Sequence, residues 1–141
     1  MIIDSLKEFI QKNCPIIEGR KIKANYLGEK PASYSIEVVP CVPDIKKYAD
    51  GGALRQYIFT FGSREYYDEE EIKNLNIAAM YEKIAEWFEE ANRSKQLPEL
   101  GEGLTALRFE ILSSGYLYSN NGRTAQYRLQ CRLIYNKERK F

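Results

Sequence analysis

Ala125-Gln126-Tyr127-Arg128-Leu129-Gln130-Cys131-Arg132-Leu133-Ile134-Tyr135 alternates in polarity almost without a break. Apolar side chains occupy every odd position, and the even positions carry Gln, Arg, Gln, Arg and one apolar exception, Ile134. Successive strand residues point to opposite faces, so the pattern predicts a long strand with one face on a core and the other in water. Just upstream stands Ser119-Asn120-Asn121-Gly122. Asn-Gly tolerates the positive φ angles of a tight hairpin, so the chain is expected to double back there as a long C-terminal β-hairpin.

Leu107, Phe109 and Ile111 read as one face of the preceding strand, which Pro98 and Gly101-Glu102-Gly103 separate from what comes before. From about Asn74 to Asn92 the period changes to 3.6. Ile77, Met80 or Tyr81, Ile84, Trp87 with Phe88, and Ala91 form an apolar stripe opposite Glu82, Lys83, Glu86, Glu89 and Glu90. This is the main helix, long enough to cover one face of a small sheet. The acidic run Asp68, Glu69, Glu70 and Glu71 precedes it, where negative charge interacts favourably with a helix N-terminus.

Toward the start, Ile2 or Ile3, Leu6, and Phe9 with Ile10 have helical spacing, and Pro15 follows the expected end of that short helix. Ile22, Ala24 and Tyr26 alternate with Lys21, Lys23 and Asn25 before a turn at Gly28 to Pro31. Tyr34, Ile36 and Val38 share the next strand face, which Pro40 and Pro43 terminate. Cys41 to Gly52 reads as a long polar loop, a kind of segment that often carries function. A third strand follows, with Tyr57, Phe59 and Phe61 on one side and Gln56, Ile58 and Thr60 on the other. The fold expected is α+β, in the order α-β-β-β-α-β-β: a mainly antiparallel sheet with the long helix packed on one face.

The 141 residues fit a single domain, residues 1–141. A net charge of +1 with 44% hydrophobic and 29% charged residues matches an ordinary globular protein and offers no basic surplus for nucleic acid. The start Met1-Ile2-Ile3-Asp4 lacks a basic flank and an apolar core, and no apolar run approaches a membrane span, so a cytosolic site of synthesis and no membrane partner are expected. Cys14, Cys41 and Cys131 are widely spaced with no CxxC pair and are expected to be reduced thiols.

The chain has no histidine, which removes the commonest general base and metal ligand and excludes Ser-His or Cys-His acyl transfer. The consecutive acids Asp68 to Glu71 do not converge as paired catalytic carboxylates must. No phosphate-binding glycine motif is present. A non-enzymatic role without cofactor or metal is therefore expected. Eleven tyrosines are many for this length, and tyrosine suits boundaries that are apolar on one side and wet on the other. Tyr57, Tyr81, Tyr127, Tyr135 and Trp87 read as packing residues, whereas Tyr116 and Tyr118 are placed for contact with a partner.

Tyr34-Ser35-Ile36-Glu37, Tyr48-Ala49-Asp50-Gly51-Gly52 and Arg55-Gln56-Tyr57-Ile58-Phe59-Thr60-Phe61 resemble the front half of small tail-completion and minor capsid proteins of phages and prophages of Gram-positive bacteria. Asn76, Glu82-Lys83-Ile84-Ala85-Glu86-Trp87, Leu97-Pro98, Tyr116-Leu117 and Ala125-Gln126-Tyr127 are similar to that group's helix, loop and final hairpin. The resemblance spans nearly the whole chain and points to a tail terminator. It implies an α+β subunit that assembles as a ring, typically six-fold, on the head-proximal end of the tail tube. Such a ring stops tube growth and offers a docking surface to the head side.

The implied partners are copies of the chain, the tail tube protein, and sheath and head-tail connector proteins. The implied location is the neck of a virion or bacteriocin-like tail, assembled in the host cytoplasm. On this reading Tyr48, Asp50, Arg55, Tyr116, Tyr118, Asn120, Asn121 and Arg123 contact neighbouring subunits or the tube, and Asp68 to Glu71 line a lumen. A head-closure or other minor capsid role is the nearest alternative, and a nucleic-acid-binding module is the alternative from another class.

Overall fold

The computed structural model describes residues 2–17, 22–24, 27, 33–66, 71–120 and 124–138, with the backbone alone described for 66, 71–76 and 120. Helix α1, Ile2–Asn13, buries Ile3, Leu6, Phe9 and Ile10, the apolar spacing noted in the sequence. It stops before Pro15, which opens a short 3-10 turn through Ile17. The strands are β1, Ile22–Ala24; β2, Ser33–Val39; β3, Asp44–Lys47; and β4, Ala53–Tyr66. Helix α2, Glu71–Ser94, then leads to β5, Leu104–Ile111; β6, Tyr116–Asn120; and β7, Thr124–Lys137.

These strands form one sheet in the order β1-β2-β4-β7-β5, with β3 also on β4 and β6 also on β7. The centre is the β4–β7 pair, antiparallel from Ala53↔Lys137 to Tyr66↔Thr124. The fold is thus α+β, with a mainly antiparallel sheet, a long helix on one face and a C-terminal hairpin, as the patterning indicates. The β6–β7 pairing reaches Asn120↔Ala125, while Asn121, Gly122 and Arg123 of the expected turn lie outside the described residues.

Both helices lie on the face that carries Phe59, Phe61, Phe109, Tyr127, Leu129, Cys131, Leu133 and Tyr135, all buried. Phe109 is the meeting point: its ring lies 6.0 Å from Phe9 of α1, 4.8 Å from Phe88 of α2 and 6.3 Å from Phe59 of β4. Such offset and tilted aromatic pairs contribute about 0.5–1.5 kcal/mol each beyond area burial. On the α2 stripe Tyr81, Ile84, Phe88 and Ala91 are buried, Met80 and Trp87 are half-buried, and Glu82, Lys83, Glu86, Glu89 and Glu90 are exposed. The Tyr81 hydroxyl, far from water, donates to the Tyr127 carbonyl at 3.2 Å, which leaves Ser63 Oγ as the donor across their 2.6 Å contact. Burial pushes the Tyr81 phenol well above its ordinary range, so it remains a neutral donor.

Several local expectations differ. The stretch Cys41 to Gly52 is not a plain loop, because β3 within it pairs antiparallel with the start of β4. The segment from Leu104 to Asn120 makes two strands on the same side of β7 rather than one, interrupted where the Leu112 N–H reaches the Gln130 carbonyl at 2.8 Å. β1 runs parallel to β2, so the pair is no tight hairpin. The expected turn, Gly28 to Pro31, lies outside the described residues, as does Tyr26. Leu107 does not share a face with Phe109. The register shifts between Ala106 and Arg108, a bulge that makes Leu107 the extra residue and leaves it 42% exposed. Val38, at the far end of the face that Tyr34 and Ile36 share, is 43% exposed.

Helix α2 ends in a Schellman arrangement: the Gln96 N–H bonds the Ala91 carbonyl at 3.0 Å and the Lys95 N–H bonds Asn92 at 3.2 Å. Lys95 takes φ 57 at the position where glycine is commonest.

Candidate functional site

The residues proposed for contact separate into two groups on opposite sides of the sheet. The first is the β3–β4 hairpin. Its turn is closed by the Tyr48 N–H on the Gly52 carbonyl, 2.8 Å, and by the Asp50 carboxylate accepting from the Gly52 N–H, 2.9 Å, with Gly51 at φ 94. Asp50 is therefore a turn-former, an Asx arrangement that holds Tyr48 outward. Arg55 Nε donates to Asp44 Oδ1 at 2.7 Å, fastening β3 to β4, and that carboxylate holds the guanidinium pKa above its ordinary value. Charged but committed, Arg55 secures the hairpin more directly than it could grip a partner. Beside these lie Val38, Val42, Ile45 and Tyr48, exposed by 38% to 74%.

The second group is on the far side of β7. Leu107, Leu112, Tyr116, Leu117 and Tyr118 are exposed by 36% to 52% along β5, its interruption and β6. Tyr118 is the extra residue of a second bulge, between Leu117 and Ser119, and its ring lies 3.5 Å over the Arg128 guanidinium. Asn120 ends β6 with only its backbone described, and Asn121 and Arg123 are outside the described residues. So are Asp68, Glu69 and Glu70, while Glu71 opens α2 with no side chain described. All nine large apolar side chains that stand out as exposed among the described residues fall in these two groups.

The sheet face away from the helices is polar. Arg132 makes a bidentate contact with Glu110, 3.1 Å to each oxygen, and donates to Gln56 at 3.0 Å. Arg108 lies 3.8 Å from the same carboxylate, and Arg128 is 4.0 Å from Glu37. Three arginines on one face attract attention as a phosphate surface, but each already faces a carboxylate, which phosphate would have to displace.

An open depression of about 620 Å³ lies between the end of α2 and β5, lined by Asn92, Leu97, Pro98, Leu104 and Leu107 among others. Its lining includes just two ionisable side chains, Lys95 and Glu99. Among the described residues no group of three or more His, Cys, Asp or Glu could hold a metal ion. Of the three thiols, Cys14 and Cys131 are buried, with burial raising both pKa values, and Cys41 is exposed. Among the described residues no helix is long and apolar enough to cross a membrane.

No protein-family model matches the chain, and no curated protein matches it. The site is thus read from its own chemistry. Val42, Ile45, Leu112 and Leu117 are exposed apolar residues that sequence patterning did not single out. Val42 and Ile45 stand alone in a polar, proline-containing stretch, Leu112 follows Ile111 and Leu117 lies between Tyr116 and Tyr118, and only the pairing of strands shows on which side of the sheet each stands.

Proposed function

We propose that this chain is a structural subunit that assembles with copies of itself, and that its role is that of a phage tail terminator or closely related tail-completion protein. The observation that carries the reading is the distribution of exposed apolar surface: two patches, one at each side of a single sheet, with a charged, ion-paired face between them. One self-complementary patch suffices for a two-fold dimer. Two dissimilar patches on opposite sides are what head-to-tail joining needs, and head-to-tail joining closes into a ring when the rotation per subunit allows it. Contiguous exposed apolar groups also call for a partner.

The resemblance in the sequence supplies the setting. A ring on the end of a tail tube, presenting a second surface to sheath or head connector, needs no chemistry beyond shape, and several subunits engaging one tube together gain avidity from modest contacts. Electron microscopy of the protein mixed with purified phage tail tubes provides the test. Rings capping one end of tubes of limited length support the terminator role. Uncapped tubes together with binding to portal rings favour head closure, and neither association contradicts the neck assignment.

A further inference from the structure

We propose that copies of this chain join by strand addition, with β3 of one copy pairing antiparallel to the open side of β6 in the next; the proposal rests on the self-assembly reading above. A sheet edge displays unpaired backbone N–H and C=O groups, and proteins that do not use an edge cover it or blunt it with charge, bulges or short strands. Among the described residues, two edge strands of this sheet are covered, whereas two others are short and bulged but uncovered. On β5, the Asn92 side-chain amide of α2 takes both backbone groups of Phe109: it donates to the carbonyl at 2.8 Å and accepts from the N–H at 2.6 Å, imitating a neighbouring strand. Glu99 forms a bridge with Thr105 on the same strand. On β1, the Gln11 side chain of α1 accepts from the Ile22 N–H at 3.0 Å.

The other two segments are β3 and β6. Among the described residues, nothing pairs with the outer side of either. They sit at diagonally opposite corners, because β3 lies against Ala53–Arg55 at one end of β4, and β6 lies against Ala125–Arg128 at the other end of the sheet. These same corners carry Ile45 with Tyr48, and Tyr116 with Leu117 and Tyr118.

The direction of pairing follows from the topology. β3 is antiparallel to β4, β4 to β7 and β7 to β6, so β3 and β6 of one copy run in opposite senses. Copies joined head to tail with those senses kept pair β6 antiparallel to the next β3, and because the corners are diagonal the strands tilt across the joint. The lengths match, four residues against five. The corner side chains Ile45, Tyr48, Tyr116, Leu117 and Tyr118 are each 36% to 52% exposed, which gives each joint an apolar centre flanked by strand backbone and polar groups. A second copy is therefore a sufficient occupant for both corners.

Hydrogen exchange on the full-length protein tests the pairing, comparing the assembled form with Ile45→Asp and, independently, Leu117→Asp, each of which places a charge in one corner. The expected result is about tenfold or greater protection of amides in 44–47 and 116–120 in the assembly, lost in both variants, with Phe109 unchanged because Asn92 already covers it. An assembly in which 116–120 exchanges as fast as in the variants overturns strand addition and leaves self-assembly by side-chain contact standing. A wild-type protein that stays monomeric overturns both.

Discussion

Gly115 shows how one residue can settle where a strand breaks. A Cβ built there would meet the Cβ of Tyr81, with Tyr81 Cγ at 2.6 Å and Cδ1 at 2.8 Å, so the chain between β5 and β6 passes against the root of a buried ring. That ring cannot swing away, because its hydroxyl is fixed by Ser63 and Tyr127 and its face stacks on Tyr127 at 6.0 Å. Gly115→Ala is expected to lower stability by about 1–3 kcal/mol in urea unfolding, the usual cost of overpacking. A variant as stable as the parent contradicts the close approach. Nothing around Ser113-Ser114-Gly115 announces this in the sequence, since the residue that makes the glycine necessary lies thirty-four positions earlier on another element. Tyr81 itself was legible only as one of two choices with Met80, a helical stripe being wide enough to admit either.

At the scale of elements, legibility follows burial. β4, β7 and α2 alternate or repeat cleanly because one face of each is pressed on the core, and those are the elements the sequence reveals. β3 is Asp-Ile-Lys-Lys, with three exposed residues out of four, and packs on nothing that would impose a pattern. The bulges at Leu107 and Tyr118 each displace the alternation by one residue, which hides where one face of the segment ends. The candidate site is made of exactly such parts, so its general neighbourhoods were visible through Tyr48 and Tyr116 while its apolar members were not. Asn92 is a further example: a polar residue at the end of a helix reads as solvated, yet here it serves as the neighbour β5 lacks. Asn92→Ala should cost about 1–2 kcal/mol and accelerate exchange of the Phe109 amide, since two bonds to one residue disappear together. Unchanged exchange at Phe109 contradicts the capping role.

For the whole molecule, the distribution of surface types carries more functional content than any single residue. The helix side is covered by Glu and Lys, the opposite sheet face is laced by Arg–Glu pairs, and the exposed large apolar side chains among the described residues fall along two opposite sides of the sheet. Nucleic-acid binding gains no support from this arrangement, because the arginines that would contact phosphate are engaged and the net charge is +1. A building block with two unlike joining surfaces accounts for the pattern directly, and it makes a demand that a symmetric dimer does not.

That demand is met or refused by sedimentation velocity on Ile45→Asp and Leu117→Asp, run separately and as an equal mixture. Each variant keeps one good corner, so head-to-tail joining predicts that each alone is monomeric while the mixture forms dimers and nothing larger, the wild type forming larger closed species. Dimers in either variant alone, or a wild type that sediments as a monomer at every concentration, contradict the account.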